Sequence, residues 1–209
     1  AEVLERVRRA PRPDWVTLGG SGEPTLHASF GEIARRIAAE TDVPLSLLTN
    51  GSLMMLPEVR RACEPLKLVL PSLDAGTEEA FQRVNRPHPG LTLADVVAGL
   101  EALRDEFEGE IWLEIFLVAG MNDSEEEIAQ MKAHIARLRP DRVQLNTAVR
   151  PPAEQDVRAL SAERLEEIRD VLGPPAEVVA EVEERVRREA GAEAGEQQVL
   201  EMLERRPCT

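Results

Sequence analysis

Short apolar runs alternate with amphipathic helical patterns along most of this 209-residue chain. The apolar runs are continuous, and continuous apolar strands are buried on both faces of a parallel sheet that helices cover. The pattern therefore predicts an α/β fold, either an open doubly wound sheet or a barrel, because periodicity does not separate the two. Strands are predicted over 15–18, 44–48, 66–70, 111–118, 142–145 and 176–180, and helices over 1–10, 30–40, 57–63, 77–84, 92–107, 124–138 and from Ser161 onward.

The charge of the chain limits the partners that it can bind. It has 25 lysines and arginines against 39 aspartates and glutamates, a formal net charge of −14. Such a chain repels phosphate backbones, which argues against non-specific binding of nucleic acid. Only 3% of its residues are aromatic and none is tyrosine, so a surface that stacks nucleobases is not visible either. The hydrophobic content of 43% is still enough for a packed core.

The cysteines and the hydropathy both favour a cytoplasmic location. Cys63 lies in a helical pattern, where we expect a small buried apolar residue, and Cys208 is far from it with no metal-type spacing. No run approaches the ~18 apolar residues that a membrane span needs, and no signal-peptide pattern is present. We therefore expect no membrane partner.

The stretch WVTLGGSGEPTL, residues 15–26, combines a buried strand with a candidate ligand site. Its apolar run leads into Gly20, Ser21 and Gly22, where the backbone can approach a ligand and some glycines are expected at positive φ. Glu23 follows on a turn that a proline stiffens. Taken alone, the stretch is explained equally well as a tight turn whose glutamate caps the next helix.

Polar residues also gather where the other strands end. In parallel α/β folds the carboxyl ends of the strands share one edge, and ligands bind there. Each polar residue alone has an ordinary explanation as a turn or helix-capping residue. Together they predict a pocket at this edge. The residues are Glu23; Thr49 and Asn50; Ser72 and Asp74; Asn122 and Asp123; and Asn146, Thr147 and Arg150.

Three other residues are candidates for such a pocket. Glu114 lies within an otherwise apolar strand, so it faces either the solvent or the interior, where an unpaired carboxylate is costly. Arg86 and His88, in a proline-flanked loop between two helices, suit an anionic ligand or an ion pair with a neighbour. His27 and His134 lack the spacing of metal ligands, and we expect neither to bind a metal.

Six motifs occur in order along the chain: GGSGEPTL, LLTNGSL, VLPSLDAG, VNRPHPGL, IWLEIFLVAGMND and VQLNTAVRPPAE. Together they resemble the radical S-adenosylmethionine (SAM) superfamily, and within it the Fe–S oxidoreductases related to wyosine-type tRNA-modifying synthetases. The resemblance covers roughly residues 10–180, and it is specific as a combination although each motif alone is weak. It implies a partial (βα)6 TIM-like barrel of parallel strands.

The resemblance also implies an enzyme and its cofactors. In this superfamily a [4Fe–4S] cluster passes an electron to SAM, which splits into methionine and a 5′-deoxyadenosyl radical that attacks a substrate. An electron donor such as flavodoxin or ferredoxin is expected as a partner. The substrate is not identified, and tRNA is suggested by kinship alone.

The match to the family assigns roles to residues at the strand ends. The segment from Gly20 to Glu23 falls on the family's Gly-Gly-Glu element, whose backbone and carboxylate would hold the SAM ammonium group. Ser72 and Asp74 match the end of the strand that contacts the ribose. The regions of Asn122 and Asn146 would border the adenine and methionyl portions. The expected cofactor-binding residues are Gly20, Ser21, Gly22, Glu23, Asn50, Ser72, Asp74, Asn122 and Asn146.

One motif of the family is absent. Three cysteines in a C-x3-C-x2-C loop hold its cluster, and this chain has no such motif. We therefore expect a chain truncated at both ends, with the first barrel strand and the cluster loop before residue 1, that cannot cleave SAM by itself. The expected domains are a partial barrel over 1–187, a linker over 188–196 and the start of a helical, winged-helix-like module over 197–209.

Two other functions stay open at this level. Glu23, Asp74 and Glu114 would also suit an iron-free α/β-barrel enzyme of the lyase type, although no lysine or histidine cluster accompanies them at the strand ends. A linker followed by a helical module would suit a regulatory protein that senses a ligand and binds DNA. The net charge of −14 weighs against that second alternative.

Overall fold

The computed structural model describes residues 2–8, 13–148 and 158–179. The predicted linker and C-terminal module lie outside these residues, as do Arg150 and Cys208. Every strand and helix predicted within the described ranges is present, with ends that shift by at most two residues. The elements are α1 (Glu2–Arg8), β1 (Val16–Leu18), α2 (Phe30–Glu40), β2 (Leu45–Thr49), α3 (Pro57–Ala62), β3 (Leu68–Pro71), α4 (Glu78–Val84), α5 (Leu93–Glu106), β4 (Glu110–Leu117), α6 (Glu125–Leu138), β5 (Arg142–Thr147), α7 (Ala162–Leu172) and β6 (Ala176–Val178), with a 3-10 turn at Pro24–Leu26.

The six strands form one sheet in the order β1-β2-β3-β4-β5-β6, and every neighbouring pair is parallel. A doubly wound sheet reverses its strand order at a switch point, so the sequential order excludes that alternative. Right-handed crossovers between sequential neighbours place all the connecting helices on one face. The fold is therefore an open α/β sheet consistent with a partial TIM-like barrel.

The two faces of the sheet differ in burial. On the helix-covered face, Leu47, Val69, Leu113 and Leu145 are fully buried and form the core. Full burial of such a side chain contributes roughly 1.5–3 kcal/mol to folding. We call the other side the open face; its strand residues alternate with the core residues along β2 to β5 and are mostly half-buried or exposed. The open face is therefore the side of the sheet that a ligand can reach.

Side-chain caps begin several helices. Serine followed three residues later by glutamate predicts a capping box at Ser124 and Glu127. The hydroxyl of Ser124 does accept a hydrogen bond from the backbone N–H of Glu127 at 3.2 Å, which starts α6. The box itself is wrong, because the Glu127 carboxylate turns away and accepts the backbone N–H of Gly76 at 2.7 Å. A capping box forms instead at α5, between Thr92 and Asp95. Glu127 therefore joins α6 to the loop after β3, beside the site described below.

No helix among the described residues is long and apolar enough to cross a membrane.

Candidate functional site

The carboxylate of Glu23 joins the loop after β1 to the end of β2. Its Oε1 accepts hydrogen bonds from the Thr49 hydroxyl at 2.7 Å and from both the backbone N–H, at 3.1 Å, and the hydroxyl of Thr25. Its Oε2 accepts the backbone N–H of Asn50 at 2.7 Å. A carboxylate has about four lone-pair directions, two on each oxygen, so Oε2 can accept one further donor. Glu23 thus holds the loop in place and keeps one acceptor position for a ligand.

The loop itself leaves open space beside its backbone. Gly20, Ser21 and Gly22 are exposed, and a Cβ built on Gly20 or Gly22 meets nothing within 4 Å. The expectation of positive φ in this loop is wrong, since neither Gly20 nor Gly22 has one. What the glycines provide is room for a group to approach the backbone closely.

A row of polar residues crosses the open face from β3 to β6. Backbone pairing places Ser72 beside Glu114, Glu114 beside Gln144, and Gln144 beside Glu177. The Gln144 amide donates to Glu177 at 3.3 Å. Among the described residues, neither the Ser72 hydroxyl nor the Glu114 carboxylate has a hydrogen-bond partner, and both residues are half-buried. The row therefore offers a free hydroxyl and a free carboxylate to a ligand, and it settles that Glu114 faces the open side of the sheet.

Asp74 lies two residues beyond Ser72 and so falls on the same side of the chain. Its Oδ1 accepts the backbone N–H of Phe116 at 2.8 Å, and its Oδ2 accepts the side-chain amide of Asn85 at 2.9 Å. Burial raises the pKa of Asp74 from 3.8 to about 6, and the nearby negative charge of Glu114 adds to the rise. The two hydrogen bonds oppose the rise by stabilising the ionised form. Asp74 is therefore ionised at neutral pH and takes up a proton in mildly acidic solution.

Asn122 lies in the interior, and both polar atoms of its side chain are engaged in hydrogen bonds. It is 0% exposed, and its Oδ1 accepts the backbone N–H of Val118 at 2.7 Å. Its Nδ2 donates to the backbone carbonyls of Asp74 at 2.7 Å and Phe116 at 2.8 Å. The structure thus places Asn122 behind Asp74, where it holds the ends of β3 and β4 together and does not reach the open face.

The other two predicted asparagines lie at the edge formed by the carboxyl ends of the strands. Asn50 is exposed just beyond β2, and its Oδ1 accepts the backbone N–H of Ser52 at 2.9 Å. Asn146 is half-buried near the end of β5, and its Oδ1 accepts the backbone N–H of Thr147 at 2.9 Å. No partner is recorded for either side-chain NH2 group among the described residues, so both groups can donate to a ligand.

The sequence did not indicate four residues of this site. Thr25 binds Glu23, Asn85 binds Asp74, and Gln144 and Glu177 extend the polar row. Asn85 lies within the motif VNRPHPGL, in which the sequence indicated only Arg86 and His88 as candidates for the pocket. Gln144 has a usable signal, because it is a polar residue inside an apolar strand, as Glu114 is.

The described residues hold no cluster of three or more His, Cys, Asp or Glu side chains that could bind a metal ion. Cys63 is buried as predicted, and burial raises the pKa of its thiol to about 12, so it stays protonated. The backbone N–H of Ser29 donates to His27, and His134 is bonded to the backbone carbonyl of Gly76 at 2.9 Å. With two cysteines in the whole sequence, this chain does not supply the three thiolates that a [4Fe–4S] cluster needs.

The profile of the radical SAM superfamily matches residues 1–131, which is more than half of the 209-residue chain. The chain belongs to the radical SAM superfamily. SAM-dependent radical chemistry is the general kind of reaction in this superfamily of enzymes, and SAM and a [4Fe–4S] cluster are its cofactors. The carboxylates of Glu23, Asp74 and Glu114, the Ser72 hydroxyl and the open glycine loop are chemically suited to SAM, whose ammonium and ribose groups are hydrogen-bond donors.

Relatives with curated names match most of this chain but only part of their own length. The chain is 38% identical over 165 residues to a protein named GTPase Obg from Brachyspira hyodysenteriae, which covers 79% of this chain and 24% of that protein. It is 30% identical over 158 residues to the UPF0026 protein MJ1312 of Methanocaldococcus jannaschii, covering 75% and 49%. For the UPF0026 protein slr1464 of Synechocystis, the identity is 31% over 153 residues, covering 72% and 57%. The chain thus spans between a quarter and little more than half of these relatives.

Solved structures of other proteins share the fold of this chain. A domain of pyruvate-formate lyase-activating enzyme from Bacteroides vulgatus superposes with a TM-score of 0.62 at 19% identity, covering 78% of this chain and 97% of that domain. A radical SAM methyltransferase from Sphaerobacter thermophilus gives a TM-score of 0.66 at 22% identity, covering 85% and 54%. At these identities the likeness concerns the fold, and it confirms the predicted partial barrel.

Proposed function

We propose that this chain forms the SAM-binding part of a radical SAM enzyme whose cluster-binding cysteines lie outside these 209 residues. The observation that carries the proposal is the free Ser72 hydroxyl and the free Glu114 carboxylate beside Asp74 on the open face. Superfamily membership supports SAM as the ligand of these groups. The iron-free lyase has less support, because Lys67 precedes β3 and Lys132 donates to the backbone carbonyl of Val171, so neither lysine lies at the carboxyl edge.

The loop after β1 would bind the ammonium end of SAM. An ammonium group needs acceptors, and we assign this role to the backbone carbonyls of Gly20, Ser21 and Gly22 together with Oε2 of Glu23. The open space at both glycines supports the assignment, because a ligand must come close to reach the carbonyls. Glu23 also keeps the loop in place through its bonds to Thr25, Thr49 and Asn50.

The end of β3 would bind the ribose. A ribose diol offers two hydroxyl donors, which suit the carboxylates of Asp74 and Glu114 and the Ser72 hydroxyl. Above its pKa of about 6 Asp74 is ionised and accepts hydrogen bonds only, so the site favours a ligand that donates. Ser72 then selects a polar group over an apolar one at the same position.

The three asparagines would have different roles. We assign Asn50 and Asn146 to the polar border of the cofactor, because each keeps an NH2 group at the carboxyl edge. Asn122 would act as a positioning residue, through the backbone of Asp74 that it holds. All three predicted asparagines thus stay in the proposed site, two in contact with the cofactor and one that supports the backbone of Asp74.

Several finer features belong to the same proposal. The chain by itself would not cleave SAM, since it lacks the thiolates of a cluster. A flavodoxin or ferredoxin would supply electrons, and a cytoplasmic location would suit them and keep Cys63 reduced. The partial barrel over 1–187, the linker over 188–196 and the helical module from 197 complete the proposed organisation. A tRNA substrate rests on kinship alone.

The experiment is anaerobic reconstitution of the full-length protein with iron and sulfide, followed by an assay for 5′-deoxyadenosine. We expect SAM cleavage, and we expect Ser72→Ala to weaken SAM binding by up to about tenfold, as loss of a ligand hydrogen bond does. Ser29→Ala is the matched control, because the Ser29 side chain makes no capping hydrogen bond and Ser29 does not belong to the polar row. A cluster-loaded protein that releases no 5′-deoxyadenosine would refute the proposal.

A further inference from the structure

A cavity of about 640 Å³ lies beside the SAM-binding groups, outside the polar row of the open face. Its walls come from the 3-10 turn after Glu23, the loop between β2 and α3, and the segment that joins α4 to α5. The volume falls within the range of pockets that hold small organic ligands, about 300–1,000 Å³. Of the residues assigned to the cofactor above, only Asn50 lines this cavity, so it offers space for a second ligand.

The walls of the cavity are mainly apolar. The apolar residues that line it include the buried Phe81 and Val96, the half-buried Leu53 and Leu91, and Leu26, which is 70% exposed. The apolar surface thus continues from the interior to the solvent. A ligand with an apolar body would bury this surface, and each buried Å² contributes about 25 cal/mol to binding before the costs of association.

The lining gives a charged ligand group little to bind. None of the described residues that line the cavity is acidic, so a cationic group would lack a counter-ion. Arg86 lines it but already has an interaction partner, and we assign it no role in binding. His88 is exposed, where an ion pair contributes little. Because an unpaired charge is costly to move from water into apolar surroundings, the lining favours an uncharged ligand.

The side-chain amide of Asn85 keeps one acceptor open in this lining. Asn85 is exposed at the C-terminal end of α4, and its Nδ2 donates to Oδ2 of Asp74 at 2.9 Å. An ionised carboxylate only accepts hydrogen bonds, so this contact fixes which end of the amide is the NH2 group. Among the described residues no donor to Oδ1 of Asn85 is recorded. Oδ1 can therefore accept an N–H or O–H group of a ligand.

The cavity adjoins the proposed SAM site at two points. Asn50 lines the cavity and donates its backbone N–H to Glu23, which we assign to the ammonium group. Asn85 also lines it and binds Asp74, which we assign to the ribose. A ligand in the cavity would therefore lie next to both parts of the cofactor site, as a substrate must if it is to meet a radical formed there.

We propose that this cavity is the substrate site, and that it takes a compact uncharged ligand with an apolar body and one N–H or O–H group bound by Oδ1 of Asn85. This assignment rests on the proposed function, which makes the neighbouring groups a SAM site. The apolar walls bind the body of the ligand. Asn85 orients it, because the amide is itself held by Asp74.

The test uses a pair of uncharged fluorescent probes on this chain, without SAM or a cluster. N-phenyl-1-naphthylamine has an aromatic body and one N–H donor, and N-methyl-N-phenyl-1-naphthylamine has the same body without the donor. We expect the first to bind at one saturable site with a Kd about two- to tenfold lower than that of the second, as one neutral hydrogen bond gives. The anionic probe 1-anilinonaphthalene-8-sulfonate should bind no more tightly than N-phenyl-1-naphthylamine; tighter binding would overturn the assignment of an uncharged ligand.

Replacing Asn85 tests the contact itself. Asn85→Ala should raise the Kd of the N–H probe to that of the methylated probe, whose own Kd should not change; this unchanged value also shows that the cavity is intact. Gln82→Ala is the matched control, because the Gln82 amide lies on the same helix and donates to the Glu78 carboxylate at 2.7 Å, but it does not line the cavity. It should change neither Kd.

A substitution in the wall tests the location. Leu53→Glu places a carboxylate against the apolar body and should weaken binding of both probes. Equal Kd values of the two probes in wild type, equal effects of Asn85→Ala on both, or no effect of Leu53→Glu on either would overturn the assignment.

The full-length, cluster-loaded protein links the cavity to the cofactor site. We expect N-phenyl-1-naphthylamine to bind in the presence of saturating SAM, because the two ligands occupy neighbouring sites. Displacement of the probe by SAM would refute the substrate site alone, since the cavity would then belong to the cofactor. A wild-type protein that binds no SAM would refute the proposed function instead, whatever the probes show on this chain.

Discussion

The hydroxyl of Thr49 donates a hydrogen bond to Oε1 of Glu23 at 2.7 Å, across 26 residues of sequence. Thr49 is buried at the end of β2, while Glu23 is half-buried in the loop after β1. The bond fastens a glycine-rich loop to the rigid sheet. The loop would otherwise be free to move, because its own glycines provide no side-chain packing.

Replacing Glu23 with glutamine tests this attachment. Glutamine has the shape of glutamate but presents an NH2 group where one carboxylate oxygen accepted a hydrogen bond, so at least one donor would lose its acceptor. We expect Glu23→Gln to lower the free energy of unfolding by about 1–3 kcal/mol, measured by urea denaturation. Glu32→Gln, on the exposed surface of α2, should change it by no more than about 0.5 kcal/mol. Similar losses for both variants would contradict the role of Glu23.

A methyl group at Gly22 should separate folding from cofactor binding. Gly22 has no positive φ, and a Cβ there meets nothing within 4 Å. Gly22→Ala should therefore raise the free energy of unfolding by about 0.4–1 kcal/mol, because alanine restricts the unfolded chain. The methyl group occupies the space that we assign to SAM, so SAM binding by the full-length protein should weaken, as calorimetric titration would measure.

Gly76→Ala provides the contrasting case for folding. A Cβ on Gly76 would lie 2.3 Å from the backbone carbonyl oxygen of Glu127, so the backbone itself would have to shift. We expect a loss of unfolding free energy rather than a gain. If Gly22→Ala lowered the free energy of unfolding as Gly76→Ala is expected to, the space beside Gly22 would not be open as described.

The stability of the chain should carry a pH dependence from Asp74. Its pKa is about 6 in the folded protein against 3.8 for the ordinary group, mainly because of burial. The folded state therefore holds a proton that the unfolded state has released, and the contribution of Asp74 to stability falls as pH rises from about 4 to about 6. The difference in unfolding free energy between wild type and Asp74→Asn should fall by about 1–2 kcal/mol across this window, measured by urea denaturation at each pH.

The subtraction is necessary because carboxylates with lowered pKa values, such as Asp95 and Glu106, give the opposite slope. The contributions of Asp95 and Glu106 to the pH dependence are the same in wild type and variant, so they cancel in the difference. A difference that stays constant from pH 4 to pH 7 would show that the pKa of Asp74 is not raised.

Glu127 should matter more than its neighbour Glu126, although both lie in the first turn of α6. Glu127 is 6% exposed and accepts the backbone N–H groups of Gly76 at 2.7 Å and Thr77 at 3.2 Å. Both N–H groups donate to one carboxylate oxygen, and the Thr77 hydroxyl donates to the other. Glu127→Gln should cost about 2–3 kcal/mol of unfolding free energy, because a neutral amide replaces the charged acceptor and its NH2 group would face the Thr77 hydroxyl. Glu126→Gln, which is exposed, should cost no more than about 0.5 kcal/mol. Equal values in thermal or urea unfolding would contradict the contact.

Local patterns were enough to predict the strands and helices. The apolar run over 111–118 and the helix over 30–40 are read from neighbouring residues, and the structure places both within one residue of the prediction. The gathering of polar residues at one edge also follows from the sequence, because parallel strands end on the same side. Glu23, Ser72 and Asp74 follow from that rule without knowledge of any contact.

The partners of those residues depended on the tertiary structure. Serine followed three residues later by glutamate predicted a capping box at Ser124 and Glu127, but the Glu127 carboxylate binds a loop some 50 residues away. Asn122 was expected at the cofactor, yet its amide is enclosed by three backbone groups. A polar side chain can bind a partner nearby in sequence or a group that only folding brings close. In both cases here the side chain binds the buried backbone groups, because those groups need a hydrogen-bond partner.

The sequence by itself thus determined the order of the elements, the parallel sheet and the edge where polar groups collect, because these follow from local periodicity and chain direction. The tertiary structure decided which groups stay free to bind. Strand register places Ser72 beside Glu114, and the packing of α4 brings Asn85, at its C-terminal end, to Asp74. Register and helix packing are set by contacts throughout the fold, so no local pattern could reveal which carboxylate the protein satisfies and which one stays open to a ligand.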